Sequence, residues 1–542
     1  MEHKRFKLPI GIQTFETIRT EGYVYIDKTK YLVNLIDTGA IYFFARPRRF
    51  GKSLTISTFD ALFSGKKEIF AGLYAEEFLN RPTFQPRPVI RLDMSMVATN
   101  AGIEGVNESI LRLTGDAANK LDIKLSDTQL IGVMLRELIL AATKKYKQKV
   151  VILIDEYDKP YTDFMNDPDM ANKIRDVLRN YYIQIKSNNE YIRFTFITGI
   201  SKFARFGVFS TLNTLKDISM LPEYAEICGY TEEEIIRYFP DYLDETAGKM
   251  QISTPELIER MRHYYNGFSF DSDVKTRLYN PFSTLLFLAD KDFANYWFET
   301  GSSKFIADYM KNRHLTVEQF RNLSVPKEFV RSPGDMDATP PEGFLYQGGY
   351  LTLSRRTESG FALDYPNTEV LNAMSQLVAE NVFQGKGEQY IYYVQRLFIS
   401  LERGDYDLFA GALNTLLASI PYDDFSKAAE QNVIVHNYKF PAQEWLYRSI
   451  ILSFLRGCGV VVAAELHTHL GRPDLVIAYM DTTWVIEIKV AYAGQNAEAK
   501  AEEACRQIIE KQYAKPYPNA ICLGLGIDDS VRQICAWRME RL

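Results

Sequence analysis

The sequence predicts a multidomain α/β protein, with a parallel sheet carrying a phosphate-binding loop at the N-terminal end and a smaller α/β domain at the C-terminal end. Three stretches predict it. The apolar run Ile41-Tyr42-Phe43-Phe44-Ala45 breaks into a basic turn ending in Gly51-Lys52-Ser53 as a helical pattern begins. Further on, Val150-Val151-Ile152-Leu153-Ile154 runs directly into Asp155-Glu156. Near the C-terminus, Asp474 precedes one apolar segment and Glu487-Ile488-Lys489 lies within the next.

Composition sets the outer bounds. The chain has 542 residues, 46% hydrophobic and 24% charged, enough for several cores and far from a disordered composition. Length alone implies about three or four domains. The formal net charge is −6 and no long basic run occurs, so bulk charge cannot capture nucleic acid; such a contact needs a local patch. Five cysteines without a C-x-x-C pair fit a reducing cytoplasm better than a disulfide framework or a zinc site. The basic N-terminus lacks an apolar h-region, and no stretch approaches ~18 uninterrupted apolar residues, so the expectation is a soluble cytoplasmic protein without a membrane span.

The first element in order is an extended aromatic segment, Gly22 to Thr29, followed by a helix through Tyr31, Leu32, Leu35 and Ile36 that Gly39 closes. The strand 41–45 then delivers the loop. Gly51 stands where backbone must approach phosphate oxygens, Lys52 can reach the β/γ-phosphates, and the Ser53 hydroxyl can hold Mg²⁺. Arg46 departs from G-x-x-x-x-G-K-[ST], which wants glycine there. Pro47 fixes φ in the next position and can pre-set the turn. An amphipathic helix is expected from Ser57 to Phe63.

Pro88 to Asp93 reads as a buried strand, and Thr128 to Tyr146 as a long helix. The β-branched run 150–154 reads as a central strand covered on both faces. Carboxylates at its C-terminal end suit a Mg-nucleotide site, Asp155 orienting the metal or its water and Glu156 polarising the attacking water. Arg193 to Lys202 is a third strand, where Thr198 or Ser201 can sense the γ-phosphate and Lys202 or Arg205 can supply positive charge. Strands alternating with helices in this order give a parallel sheet covered on both faces.

Together, Arg46-Pro47-Arg48-Arg49-Phe50-Gly51-Lys52-Ser53, Leu153 to Pro160 and Thr198 to Phe203 resemble the bacterial AAA-ATPase-like family. Its members commonly begin the loop Arg-Pro-Arg-Arg. The resemblance implies that residues 46–54, through Leu54, together with Asp155 and Thr198, hold ATP; that Ser53 and Asp155 hold Mg; and that Glu156 is catalytic. It extends over the helical stretch that opens at Thr231-Glu232-Glu233-Glu234, a capping-box spacing, and implies a helical lid. The dense aromatics there, around Tyr265, Phe268, Tyr279, Phe282 and Trp297, read as core. Residues 331–342 mark a boundary, and two alternating runs around Thr357-Glu358-Ser359-Gly360 read as a hairpin. With helices before it, this hairpin could form the wing of a winged helix, with too little positive charge for DNA.

The chemistry of the last hundred residues rests on spacing. Asp474 and Glu487 lie on two apolar strands that a short turn would pair, so their carboxylates can share a divalent cation. Glu487 and Lys489, two apart, face the same side. Two hard-oxygen ligands and a cation suit Mg-assisted attack of water on a phosphodiester. An exposed E-x-K strand is common by accident; the full set is much rarer. This stretch resembles a PD-(D/E)XK nuclease domain, of the restriction-endonuclease-like α/β class. The resemblance implies Asp474, Glu487, Lys489 and Gln507 as catalytic, Glu444, Asp474, Glu487 and Ile488 at the metal, and Lys511 and Tyr513 as weaker candidates.

The expected organisation is a P-loop NTPase domain at 1–228, a lid at 229–330, the hairpin module and helical spacer at 331–425, and the nuclease-like domain at 426–542. The expected function is an ATP-binding protein and ATPase whose nucleotide state controls a Mg-dependent DNA nuclease. The alternative is a non-cleaving nucleotide switch or scaffold whose nuclease-like fold only binds nucleic acid or a protein partner. Whether the chain forms an oligomer stays open.

Overall fold

The computed structural model describes residues 5–39, 41–164, 167–200, 215–297, 317, 320–327, 341–382, 387–418, 434–435, 438–439, 442–463, 472–479 and 482–542. The chain divides into two compact units, one of Met1–Trp297 with Asn322–Thr368 and one of Phe298–Arg321 with Glu369–Leu542.

In the first unit, β1 (Ile41–Ala45), β2 (Val89–Asp93), β3 (Val150–Asp155), β4 (Ile192–Gly199) and β5 (Lys216–Asp217) form one sheet in the order β2-β3-β4-β1-β5. All four pairings are parallel. β4 separates the loop strand β1 from the acidic strand β3, so the C-terminal ends of all three open on one edge. β1 and β3 are buried at every position, as their uninterrupted apolar runs require.

The helix that follows the loop, Lys52–Phe63, differs from the expected amphipathic one: it is buried on nearly every side. Phe59 packs on Phe194 and Phe196 of the sheet, at ring-centroid distances of 5.2 and 4.8 Å. The short helix Phe15–Thr20 covers another side, where the Phe15 N–H donates to Ser57 Oγ at 3.0 Å. The expected helix near 128–146 runs Ile131–Tyr146. Two more helices, Gly102–Lys120 and Pro168–Ser187, pack apolar faces against it and the sheet.

Helices Glu232–Tyr238, Pro240–Met250, Thr254–Tyr265 and Pro281–Asp290 gather around their own aromatic core with Val24 and Ile26. The capping box at Thr231 and Glu234 forms as its spacing requires. β7 (Thr352–Arg356) and β8 (Gly360–Asp364) make the expected antiparallel hairpin, and β6 (Leu323–Pro326), invisible in the sequence pattern, adds to β8.

In the second unit, β9 (Ile434–Val435) and β10 (Tyr438–Lys439) pair by themselves. β11 (Val461–Ala463), β12 (Leu475–Tyr479), β13 (Thr482–Ala491), β14 (Ile521–Asp528) and β15 (Gln533–Arg541) form a mixed sheet in chain order. Only β13 and β14 run parallel, and the helix Ala497–Glu510 makes the crossover between them. Helix Ala442–Gly457 packs Leu452 and Leu455 into a core with Trp484, Ile486 and Ile488. Among the described residues, no helix is long and apolar enough to cross a membrane.

Candidate functional site

The first site is built where β1 ends. Gly51 takes φ 94°, in the left-handed region that glycine adopts without strain, and the helix starts at Lys52. Lys52 Nζ donates to the carbonyl oxygens of Arg46, at 3.0 Å, and Pro47, at 2.9 Å, so the ammonium lies across the loop. Burial lowers its pKa, while the carboxylates of Glu156, Asp155 and Asp158 oppose that shift. The opposite wall carries those acids. Thr198 Oγ1, at the end of β4, donates to Asp155 Oδ1 at 2.5 Å, and the Glu156 N–H donates to the same oxygen at 3.1 Å.

Glu156 turns off the end of β3 at φ 48°, an uncommon conformation for a glutamate and one found at functional turns. Burial raises its pKa, with Lys52 pulling the other way. The acidic pair, Thr198 and the loop lysine are therefore gathered at one sheet edge, where phosphates and a divalent cation can lie between opposite charges. Ser201, Lys202 and Arg205 lie outside the described residues.

Arg46, expected among the nucleotide ligands, opens the loop. Its guanidinium is buried, donating to the carbonyl oxygens of Ala45 (3.0 Å), Ser219 (2.6 Å), Tyr224 and Ala225 (both 3.4 Å). It also lies 4.5 Å from the Phe44 ring centre and 4.4 Å from that of Phe270. Burial pushes its pKa down to about 10. An arginine at the first loop position thus anchors the loop to the end of β1 and to the segment that follows β5.

The rest of the loop is also backed from afar. Phe50 meets Phe268 and Phe270 edge-on at 4.9 and 5.1 Å, and Arg49 lies 4.8 Å over Phe282. Gly349, at φ 87°, comes so close that a Cβ there would be 2.7 Å from Cβ of Pro47. Arg48 faces Glu156 electrostatically. Asp158, given no role by sequence reasoning, is buried and accepts the Ile200 N–H at 3.3 and 3.2 Å, tying the acidic turn to the end of β4. Its presence in a carboxylate-rich strand end was the available signal.

The second site forms on the register of β12 and β13. Leu475 pairs with Ile486, and one step further Asp474 stands opposite Glu487. The Asp474 N–H donates to Glu487 Oε2 at 3.2 Å, and Ile488 N–H donates to Asp474 Oδ2 at 2.8 Å. Because a strand residue directs its N–H and C=O to the same side, the Ile488 carbonyl leaves the strand toward Asp474 as well. Lys489 Nζ lies 3.3 Å from Glu444 Oε1 and 3.7 Å from Glu487 Oε1. Gln507 donates to Glu487 Oε1, and also bonds the Tyr513 hydroxyl. Lys511 stands at the C-terminal end of that helix.

Burial, then the neighbouring Asp474, raises the pKa of Glu487 well above the usual carboxylate range. Burial raises Glu444 too. Burial alone would lower Lys489, but Glu444, Glu487 and Asp474 outweigh it and its pKa is raised. Among the described residues, no group of three or more His, Cys, Asp or Glu is arranged to hold a metal ion. Two cations, Lys489 and Arg448, stand among the acids instead. The donors still fit Mg²⁺: two carboxylates and a carbonyl are hard oxygens, and the crowded buried acids gain from a cation. Arg448, missed by sequence reasoning, lies 3.6 Å from Asp474 Oδ1.

A parallel sheet ending in a lysine loop and an acidic pair defines a P-loop NTPase-type domain, and the second sheet with its acid-acid-lysine cluster defines a nuclease-type one. Residues 9–209 match the family model described as a predicted AAA-ATPase, and residues 442–537 match that of the PD-(D/E)XK nuclease superfamily. An "uncharacterized protein in vnfD 5'region" of Azotobacter chroococcum mcd 1 is 30% identical over 525 residues, covering 95% of this chain and 94% of that protein. The chain belongs to the predicted AAA-ATPase family and carries a C-terminal PD-(D/E)XK nuclease domain.

Proposed function

We propose that this protein binds and hydrolyses Mg-ATP in its first unit and cleaves DNA phosphodiesters in its second, with the nucleotide state controlling cleavage. In the first site, Ser53 and Asp155 hold Mg, Lys52 leaves the loop carbonyls for the β/γ-phosphates, and Glu156 orients the attacking water. Thr198 keeps Asp155 turned toward the metal. Arg48, Arg49 and Phe50 shape the turn, with Leu54 behind it in the helix.

The observation that carries the nuclease reading is the facing pair Asp474 and Glu487 with Lys489 beside them. Mg²⁺ held by Asp474, Glu487 and the Ile488 carbonyl would supply charge stabilisation for the phosphodiester. Lys489 orients water and offsets charge on the pentavalent state. Glu444 holds Lys489, and Gln507 holds Glu487.

Purified Lys52→Ala and Asp474→Ala test the reading through ATP binding, ATP turnover and Mg-dependent DNA cleavage. Cleavage unchanged in Asp474→Ala sinks the nuclease assignment. If Lys52→Ala abolishes ATP binding and leaves cleavage untouched, control by nucleotide fails. The scaffold alternative draws on the cations that stand among the acids; it predicts DNA binding without cleavage in the unaltered protein.

A further inference from the structure

The side chain that the nuclease reading leaves without a task is Arg448. It sits one helical turn after Glu444 on the helix Ala442–Gly457, so both project from one face toward the acid cluster. It is almost fully buried, and Nη1 lies 3.6 Å from Asp474 Oδ1, while the other oxygen of that carboxylate accepts the Ile488 N–H. Asp474 is therefore held from two directions. Glutamates 444 and 487 are shared by Lys489 in the same way.

Once the acids are ionised, the ion pairs among the described residues set three carboxylates, Glu444, Asp474 and Glu487, against two cations, Lys489 and Arg448, a balance of one negative charge. One divalent ion turns that into one net positive charge, and a bound phosphodiester, with its single negative charge, brings the assembly to neutrality. A second divalent ion would leave two positive charges uncompensated in a buried place, where charge is costly.

Resting on the nuclease reading above, we infer that Arg448 is a positioning residue: it orients Asp474 and supplies the standing counter-charge that limits this site to one divalent cation. Its guanidinium would lie within about 6 Å of a cation held by Asp474, taking the 3.6 Å contact and ~2.1 Å for a Mg–O bond. Even with the screening of bulk water, a unit charge at that distance changes the affinity for a divalent ion by about tenfold. The Ile488 N–H still holds the other oxygen of that carboxylate when the guanidinium is removed.

The test counts Mn²⁺ bound to the full chain by electron paramagnetic resonance, without nucleotide, so that no phosphate-bridged ion forms at the loop. The unaltered protein is expected to bind one ion that Asp474→Asn removes. Arg448→Gln is expected to bind Mn²⁺ about tenfold more tightly and to take up a second ion, while cleavage at saturating metal slows. Arg448→Lys keeps the charge without the fork; it should hold one ion at the original affinity and still cleave slowly. Mn²⁺ affinity in Arg448→Gln unchanged within about twofold, or weakened, overturns the inference. Should that variant not fold, loss of Mn²⁺ affinity in Arg448→Lys overturns it instead. If Asp474→Asn binds Mn²⁺ as the unaltered protein does, the metal-site reading itself falls.

Discussion

Thr198 donates its hydroxyl to Asp155 Oδ1 at 2.5 Å from the neighbouring parallel strand, and the Glu156 N–H reaches the same oxygen. One carboxylate oxygen is thus fixed from two sides. Thr198→Val removes the hydroxyl at nearly constant volume. ATP turnover should fall by about 10- to 100-fold, the usual effect of losing a partner that orients a metal ligand, with nucleotide affinity changed far less. Thr198→Ser should keep most of the rate. Phosphate release and binding of a fluorescent ATP analogue separate the two effects; equal loss in Thr198→Ser would show that packing of the methyl group, not the hydroxyl, matters.

Arg46 and Lys52 are both buried cations of one loop, yet their substitutions should differ in their cost to stability. Arg46→Met leaves several buried carbonyl oxygens without their donor and should cost at least about 3 kcal/mol in calorimetric unfolding. Lys52→Met takes the donor from only two loop carbonyl oxygens and removes a charge that burial disfavours, so it should cost much less, about 1 kcal/mol or under, while abolishing ATP binding. A stable Arg46→Met variant would mean that those carbonyl oxygens do not depend on the guanidinium.

Gly349 ties residues far along the chain to the loop. A Cβ there meets Pro47, and the residue's φ of 87° also disfavours any side chain. Gly349→Ala should displace the turn and weaken ATP binding by about tenfold, since a loop geometry held to within ~0.5 Å is what the phosphates need. Titration with the fluorescent analogue checks it, and an unchanged dissociation constant would mean the loop yields without consequence.

Much of this was legible in the sequence because it is local. The runs 41–45 and 150–154 could only be buried strands, and Asp474 and Glu487 could be paired across a turn by counting. The role of Arg46 was not legible, because its partners, the ring of Phe270 and the backbone oxygens of Ser219, Tyr224 and Ala225, are remote in sequence, and a backbone oxygen carries no residue signature. Arg448 was hidden for another reason: a basic residue four after an acidic one is ordinary on any helix. The amphipathic expectation for the loop helix failed because Phe15–Thr20 covers a side that would otherwise face water.

The final prediction turns on Glu487, which burial and the adjacent Asp474 hold well above the usual carboxylate range. With a folded pKa above the unfolded one, folding takes up a proton. Stability from this group is therefore greatest below the unfolded pKa of about 4.5 and declines as pH rises toward the folded value. Mg²⁺ requires the ionised carboxylate, so its binding expels that proton and tightens as pH rises through the same window. Without metal, the unfolding transition of the second unit should fall in temperature over this range, and Mg²⁺ should restore it increasingly at higher pH. Glu487→Gln should reduce the metal-free slope, leaving the part that the raised Glu444 carboxyl contributes, and lose the Mg²⁺ response at the same time. If thermal unfolding of Glu487→Gln keeps the slope but loses the Mg²⁺ response, the titrating group lies elsewhere, and Glu487 holds the metal without setting its pH dependence.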